Sequence, residues 1–298
     1  MTEVITLQQS DISYSHSQFL PDVVRVLDVG YETDEQFRTC HIAKVWGNAF
    51  QASLTWITPY NDNRICKGSL ARVYWPKTLT EVDGCFPVVR VVPITSVDHS
   101  VNLFDTIPST WSRNFDLIER AKGLWCQLPH RMQALFNEIF WDDRLFRRYV
   151  SIPASINAHH NGWGGNLRHA VEMAEHAERI ALDVSGVSND LLILAGMLYN
   201  APNAEGYRWS DGQWVLASES IQNDALKCFQ VRLKGIWERR PELMADRDRR
   251  TLWQILFGNH IYRGDLSRQP LAAVETEILV LADRLTCVLN LRDQGGVQ

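Results

Sequence analysis

Residues 157–170 read Asn-Ala-His-His-Asn-Gly-Trp-Gly-Gly-Asn-Leu-Arg-His-Ala, and this stretch decides how the second half of the chain is interpreted. Two adjacent glycines predict a turn, and Asn166 after them is the expected N-cap of a helix over 166–182. His169 would then lie near the start of that helix. His159 and His160 precede the two glycines in the sequence.

The chain around this stretch is expected to be helical from residue 113 onward, because apolar residues recur there at intervals of three and four. An Asp211-Gly212 turn predicts a hairpin over 207–215 between two of the helices. The predicted helices cover 114–127, 129–141, 166–182, 190–199, 221–237, 241–257 and 271–291.

The region 23–97 has a different pattern, with short β-rich segments separated by turn signals. Residues 50–56 alternate strictly, so that Phe50, Ala52, Leu54 and Trp56 would face one side of a sheet. Segments 41–46, 69–75 and 86–94 are further strand candidates. Several short strands in about 75 residues, without helices between them, are typical of a small OB-type barrel.

Composition excludes some classes of protein. A net charge of −5 and a pI near 6.0 argue against a broadly basic nucleic-acid binder, but not against a local basic groove. The six cysteines lack CxxC spacing, which argues against a zinc knuckle or a disulfide framework and favours a reduced, cytoplasmic chain. The sequence contains neither a recognisable signal peptide nor an apolar run long enough for a bilayer, so no membrane association is expected.

The order of these motifs resembles the YhaM-type 3′–5′ exoribonucleases, which join an OB-fold to an HD domain, and the related TraI-type relaxase domain of mobile elements. The resemblance extends from about residue 37 to residue 290. The motifs that carry it are Ile152-Pro-Ala-Ser155, His159-His160, Gly164-Gly165 before His169, the apolar segment 191–198, Phe257-Gly-Asn-His260 and Leu281-Ala-Asp-Arg-Leu285.

The expected fold class is therefore α+β, with an N-terminal OB-like β-barrel followed by an all-α HD-like helical domain. The boundaries we expect are an N-terminal tail at 1–22, the barrel at 23–97, a connector at 98–112 and the helical domain at 113–298. A homo-oligomer is an expectation by analogy with the related enzymes alone.

The resemblance also assigns roles to residues. It makes His169 the first metal ligand, Asp283 the last and His260 a ligand of a second metal, with His159 and His160 lining the site. In such a domain divalent metals, Mn²⁺ or Mg²⁺ here if the site is active, would activate water against a phosphoester.

The chain departs from the family pattern at the centre of this site. Tyr199 and Asn200 stand where the family has a His-Asp pair. A tyrosine, with an ordinary pKa near 10, is a poor ligand for a divalent ion at neutral pH, and an asparagine lacks the bridging carboxylate. We therefore expect a single-stranded nucleic-acid-binding relative that lacks catalysis and needs no cofactor.

Two alternatives remain open. One is an active metal-dependent 3′–5′ exonuclease or phosphodiesterase with a reduced site. The other is an interaction module of a mobile-element or defence system, in which the helical domain docks a protein partner.

Nucleic-acid binding is expected on the barrel, because OB barrels bind single strands with aromatic and basic side chains. The segment 37–97 contains seven basic residues and three acidic ones. The residues expected to contact nucleic acid are Lys44, Trp46, Arg72, Tyr74, Trp75 and Lys77.

Overall fold

The computed structural model describes residues 20–33, 38–59, 62–155, 159–216, 219–258 and 273–295. The chain divides into two compact units, residues 1–110 and 111–298. The first unit is built on a sheet and the second is mainly helical, so the expected α+β class is confirmed at this level.

The first unit contains a six-stranded sheet that curls into a half-barrel. The strands are β1 (Val23–Thr33), β2 (Thr39–Gly47), β3 (Phe50–Thr58), β4 (Leu70–Tyr74), β5 (Phe86–Pro87) and β6 (Arg90–Pro93). Their order in the sheet is β5-β3-β2-β1-β4-β6, and neighbouring strands are antiparallel, except that β5 runs parallel to β3.

The alternation over 50–56 is confirmed, because Ala52, Leu54 and Trp56 of β3 are buried on the inner face of this sheet. Val24 and Val26 of β1 complete the inner layer from the adjacent part of the sheet. The predicted strand 86–94 forms two short strands instead of one.

The outer face of the sheet is partly covered by a short 3₁₀ helix, Leu103–Thr106, which packs against β1 and β2. Arg25 lies buried beneath it at 2% exposure. Its guanidinium donates hydrogen bonds to the Thr106 carbonyl (3.0 Å), the Thr106 hydroxyl (2.8 Å) and the Gly68 carbonyl (3.1 Å). These bonds satisfy buried acceptors and fix the 3₁₀ helix on the sheet.

In the second unit a central helix, α4 (Gly165–Ala181), packs chiefly against α5 (Asn189–Tyr199), α9 (Ala273–Gly295), α1 (Phe115–Gln127) and α3 (Asp143–Ser151). The predicted hairpin is confirmed as β7 (Tyr207–Ser210) and β8 (Gln213–Leu216), paired through the Asp211-Gly212 turn. The helices are α1 (Phe115–Gln127), α2 (His130–Phe140), α3 (Asp143–Ser151), α4 (Gly165–Ala181), α5 (Asn189–Tyr199), α6 (Asn203–Gly206), α7 (Glu219–Arg239), α8 (Asp246–Phe257) and α9 (Ala273–Gly295).

Two features of this unit differ from the sequence prediction. The prediction has no helix at the position of α3. Asn166 is not an N-cap, because Gly164, with φ of 75°, caps α4 in the left-handed region. Asn166 is buried inside the helix, and its amide donates to the Tyr149 carbonyl at 3.0 Å.

Helices α4 and α5 approach each other closely at Gly196. A Cβ at this position would lie 2.7 Å from the Ala174 Cα and 2.8 Å from the Ala174 nitrogen. Such backbone contact leaves no room for a side chain, so Gly196 sets the distance between the two helices.

Among the described helices, none combines the length and the apolar content that a membrane crossing requires.

Candidate metal centre

The loop before α4 is held against the start of that helix by its two glycines. The His160 carbonyl accepts a hydrogen bond from the Ala154 nitrogen at 3.0 Å. A Cβ on Gly165 would lie 1.9 Å from this carbonyl oxygen, so only glycine permits the approach. The Gly-Gly pair therefore brings His159 and His160 next to the first turns of α4.

Helices α4 and α9 each present a row of polar side chains at helical spacing. On α4 the row contains His169, Glu172 and His176, which share one face because residues three, four and seven apart align. On α9 the corresponding row contains Asp283, Thr286, Cys287 and Asn290. Since α4 packs against α9, the two rows meet.

The centre of this contact contains four groups from three segments of the chain. His169 Nε2 lies 3.1 Å from Asp283 Oδ1. His159 Nε2 lies 3.4 Å from Cys287 Sγ, and the thiol in turn lies 3.8 Å from Asp283 Oδ1. Ligand atoms of His159, His169 and Cys287 all lie within 4.8 Å of one another.

A second set of contacts surrounds the centre and positions its elements. The backbone nitrogen of His160 donates to Asn290 Oδ1 at 3.0 Å, which ties the loop to α9. His176 Nδ1 lies 2.9 Å from the Thr286 hydroxyl, which ties α4 to α9 two turns further along. His160 Nε2 lies 3.1 Å from Glu172 Oε2, close enough for an ion pair but without hydrogen-bond alignment.

The pKa values at the centre reflect burial and neighbouring charge. Burial, aided by His169 and His160, lowers the pKa of His159 and favours its neutral form, which has a lone pair for a metal. Burial and the nearby Asp283 raise the pKa of the Cys287 thiol to about 11. Without an ion the thiol therefore stays protonated at neutral pH, and a divalent ion would have to displace its proton.

The donor set suits a zinc-type ion. With bonds of about 2.0 Å to nitrogen and about 2.3 Å to sulfur, the edges of a tetrahedral zinc site are roughly 3.3–3.6 Å. The distances of 3.1 Å from His169 to Asp283 and 3.4 Å from His159 to Cys287 are close to these edges. In addition, Nδ1 of the buried His169 has no hydrogen-bond partner within the part of the chain that the structure describes.

Tyr199, Asn200 and His260 were also expected at this site. Tyr199 is the last residue of α5 and Asn200 is its C-cap, and both are half-buried. His260, expected as a ligand of a second metal, lies outside the described residues. Cys287 was not predicted as a ligand. It lies four residues after Asp283 in the same helix, and this spacing places the two side chains next to each other.

The residues expected to contact nucleic acid do not form one patch on the first unit. Lys44 and Lys77 are exposed, and Tyr74 is 42% exposed with Arg90 over its ring at 4.6 Å. Tyr74 lies beyond the start of β1, whereas Lys44 pairs with Asp28 further along that strand. About seven residues, roughly 23 Å, therefore separate Tyr74 from Lys44 along the strand direction.

The other three residues expected to contact nucleic acid are buried or bonded to other residues of the first unit. Trp46 is only 4% exposed, so its ring leaves little free surface on which a base could stack. It is opposite Arg25, where the 3₁₀ helix covers the sheet. Arg72 forms an ion pair with Asp98 at 2.9 Å, and Trp75 donates its ring N–H to the Pro21 carbonyl at 3.0 Å.

Comparisons of the chain with protein-family models, with curated proteins and with solved structures found no match. Fold and site together define an α+β chain of two units, of which the second contains a candidate His-His-Cys metal centre with an adjacent carboxylate.

Proposed function

We propose that the protein binds single-stranded nucleic acid and belongs to the OB–HD class, with a helical unit that keeps one metal site and lacks two-metal hydrolysis. The observation that carries this proposal is the 3.1 Å contact between His169 and Asp283. The resemblance assigns the first and the last metal ligand to these two residues, which are far apart in the sequence.

Further support comes from the surroundings of this contact. His159 and His160 adjoin the start of α4, beside the His169–Asp283 contact. Ring centroids of both lie within 6 Å of the His169 ring, at 4.9 Å and 5.6 Å. Tyr199 and Asn200 stand at the end of α5, the position where the class has its His-Asp pair.

Loss of this pair is the reason for proposing binding without hydrolysis. A bridging carboxylate holds two ions a few ångströms apart, and a neutral amide or a phenol does not replace it at neutral pH. One ion held by His159, His169 and Cys287 would stabilise the packing of α4 against α9. For the first unit, the exposed Lys44, Tyr74 and Lys77 support contacts with phosphates and bases.

The proposal is tested by titrating fluorescently labelled single-stranded DNA and RNA with the full chain at low salt, with anisotropy as the readout. We expect binding that weakens steeply as salt is raised, because phosphate contacts release counterions. We also expect intact oligonucleotides after incubation with Mn²⁺ or Zn²⁺. Absence of binding to every oligonucleotide at low salt would overturn the proposal.

A second candidate is a phosphodiesterase with a single metal ion, and the same His169–Asp283 contact favours it. A single ion can still polarise a phosphoester and activate a water. Degradation that is lost in both His169→Ala and Asp283→Asn, but retained in His130→Ala on the exposed start of α2, would establish this candidate in place of the first. Circular dichroism would show that the variants are folded.

A further inference from the structure

Three tryptophans meet at the surface of the helical unit, beside the candidate metal centre. Trp163 belongs to the loop before α4, Trp209 to β7 and Trp214 to β8. Their ring centroids are 5.7 Å apart for Trp163 and Trp209, 5.9 Å for Trp163 and Trp214, and 5.1 Å for Trp209 and Trp214. We name this group the tryptophan cluster.

The tryptophan cluster is exposed, although its residues are large and apolar. Trp163 is 51% exposed and Trp209 is 53% exposed. Leaving two adjacent indole rings half in water forgoes much of the stabilisation that their burial would give. Contiguous exposed apolar surface of this kind marks binding sites on soluble units.

The rings are held in place by hydrogen bonds and strand pairing. The Trp163 ring N–H donates to the Trp111 carbonyl at 2.6 Å. Trp209 and Trp214 are directly opposite each other in the hairpin. A ring fixed before the ligand arrives loses little conformational entropy on binding, which favours stacking.

Two arginines lie near the tryptophan cluster along the backbone. The Ser151 hydroxyl lies 2.7 Å from the Arg147 carbonyl and 3.4 Å from the Trp111 carbonyl, the atom to which Trp163 is bonded. Arg147 is exposed, and so is Arg113, two residues after Trp111. Exposed aromatic faces with exposed arginines at nearby backbone positions match a ligand with flat rings and negative charge.

We propose that the tryptophan cluster stacks on bases of single-stranded nucleic acid, while Arg113 and Arg147 contact its phosphates. This inference rests on the proposed function and assigns it a contact surface in the helical unit. His160 and Trp163 are three residues apart, so their Cα atoms are separated by at most about 11 Å. A strand that stacks on Trp163 therefore passes next to the candidate metal centre.

The test compares four forms of the full chain in the anisotropy titration. The double variant Trp163→Ala/Trp209→Ala should bind single strands at least roughly 30-fold more weakly, because two base stacks of about 1–3 kcal/mol each are lost. Trp163→Tyr/Trp209→Tyr keeps aromatic faces and should retain most of the affinity. Leu182→Ala, a change at a 77% exposed residue at the end of α4, is the surface control and should bind as the unmodified chain does.

The charge reversal Arg147→Glu tests the proposal without altering the packing of the rings. It should weaken binding and reduce its dependence on salt, because one phosphate contact is lost. If the unmodified chain binds and both the alanine pair and Arg147→Glu bind equally well, this inference is overturned and the proposed function stands. If the unmodified chain binds no oligonucleotide, both are overturned.

Discussion

The Sγ atom of Cys287 lies 3.4 Å from Nε2 of His159, and this contact joins α9 to the loop before α4. Neither residue holds the other through a strong hydrogen bond, since a thiol is a weak donor and a weak acceptor. A shared metal ion would account for the approach of two such groups in a half-buried site.

Cys287→Ser should therefore sharply reduce the amount of zinc that the protein takes up. The serine hydroxyl is a much weaker zinc ligand than a thiolate, and losing a direct ligand should cost more than the roughly 10–100-fold that accompanies changes behind the ligands. Zinc content by mass spectrometry, after equilibration with a competing chelator, measures the effect. Cys228→Ser, at an exposed cysteine of α7, is the matched control and should leave the zinc content unchanged. Equal zinc content in both variants would contradict the assignment.

Gly196→Ala should destabilise the helical unit by about 1–3 kcal/mol, because the new methyl group meets the backbone of Ala174 and forces α4 and α5 apart. Gly123→Ala is the matched control, since it also lies inside a helix but has open space around its Cβ. That change should be neutral or stabilise by up to about 1 kcal/mol, from helix propensity alone. Urea denaturation followed by circular dichroism measures both. Equal stability of the two variants would show that the close approach is not needed.

Arg25→Met should destabilise the sheet unit by about 2–5 kcal/mol. Its guanidinium donates to Thr106 and Gly68 in a buried setting, and the methionine leaves these acceptors unpaired. Lys44→Met, at an exposed position of the adjacent strand, is the control and should change the free energy of unfolding by no more than about 0.5 kcal/mol. Chemical denaturation monitored by tryptophan fluorescence distinguishes the two, and similar midpoints would rule out a stabilising role for Arg25.

Much of the fold followed from hydrophobic periodicity, but the exceptions have physical causes. Helix α3 has only nine residues, fewer than the window of about 11–18 residues over which helical periodicity is read, although its apolar residues share one buried face. Asn166 resembled an N-cap by residue type, yet the left-handed Gly164 caps the helix and frees Asn166 for a buried hydrogen bond to Tyr149. Trp46 has the parity of an outward position in its strand, and only the covering 3₁₀ helix, a tertiary feature, buries it.

The candidate site was partly predictable for a related reason. His169 and the loop histidines stand out because they flank two glycines in a short stretch. The resemblance assigned Asp283 and His169 to one site, but it gave no role to Cys287, since the contact of Cys287 with His159 depends on how α9 packs against the loop and α4. Cys287 was excluded by the expectation of CxxC spacing, which applies to compact zinc knuckles and not to ligands from separate segments.

Restoration of the missing pair tests whether the helical unit is built on the HD plan. In Tyr199→His/Asn200→Asp, the end of α5 regains an imidazole and a carboxylate, so a bridging ligand for a second ion becomes available. We expect bound Mn²⁺ to rise to about two ions per chain, the number in two-metal hydrolytic sites. Tyr199→His alone is the control, because it lacks the carboxylate and should bind fewer ions than the double variant. Since both residues are half-buried at a helix end, both variants should fold, and a thermal melt would verify this. A folded double variant that takes up no more Mn²⁺ than the unmodified chain would mean that α5 does not end at the metal centre, and that the resemblance to the HD class does not extend to its geometry.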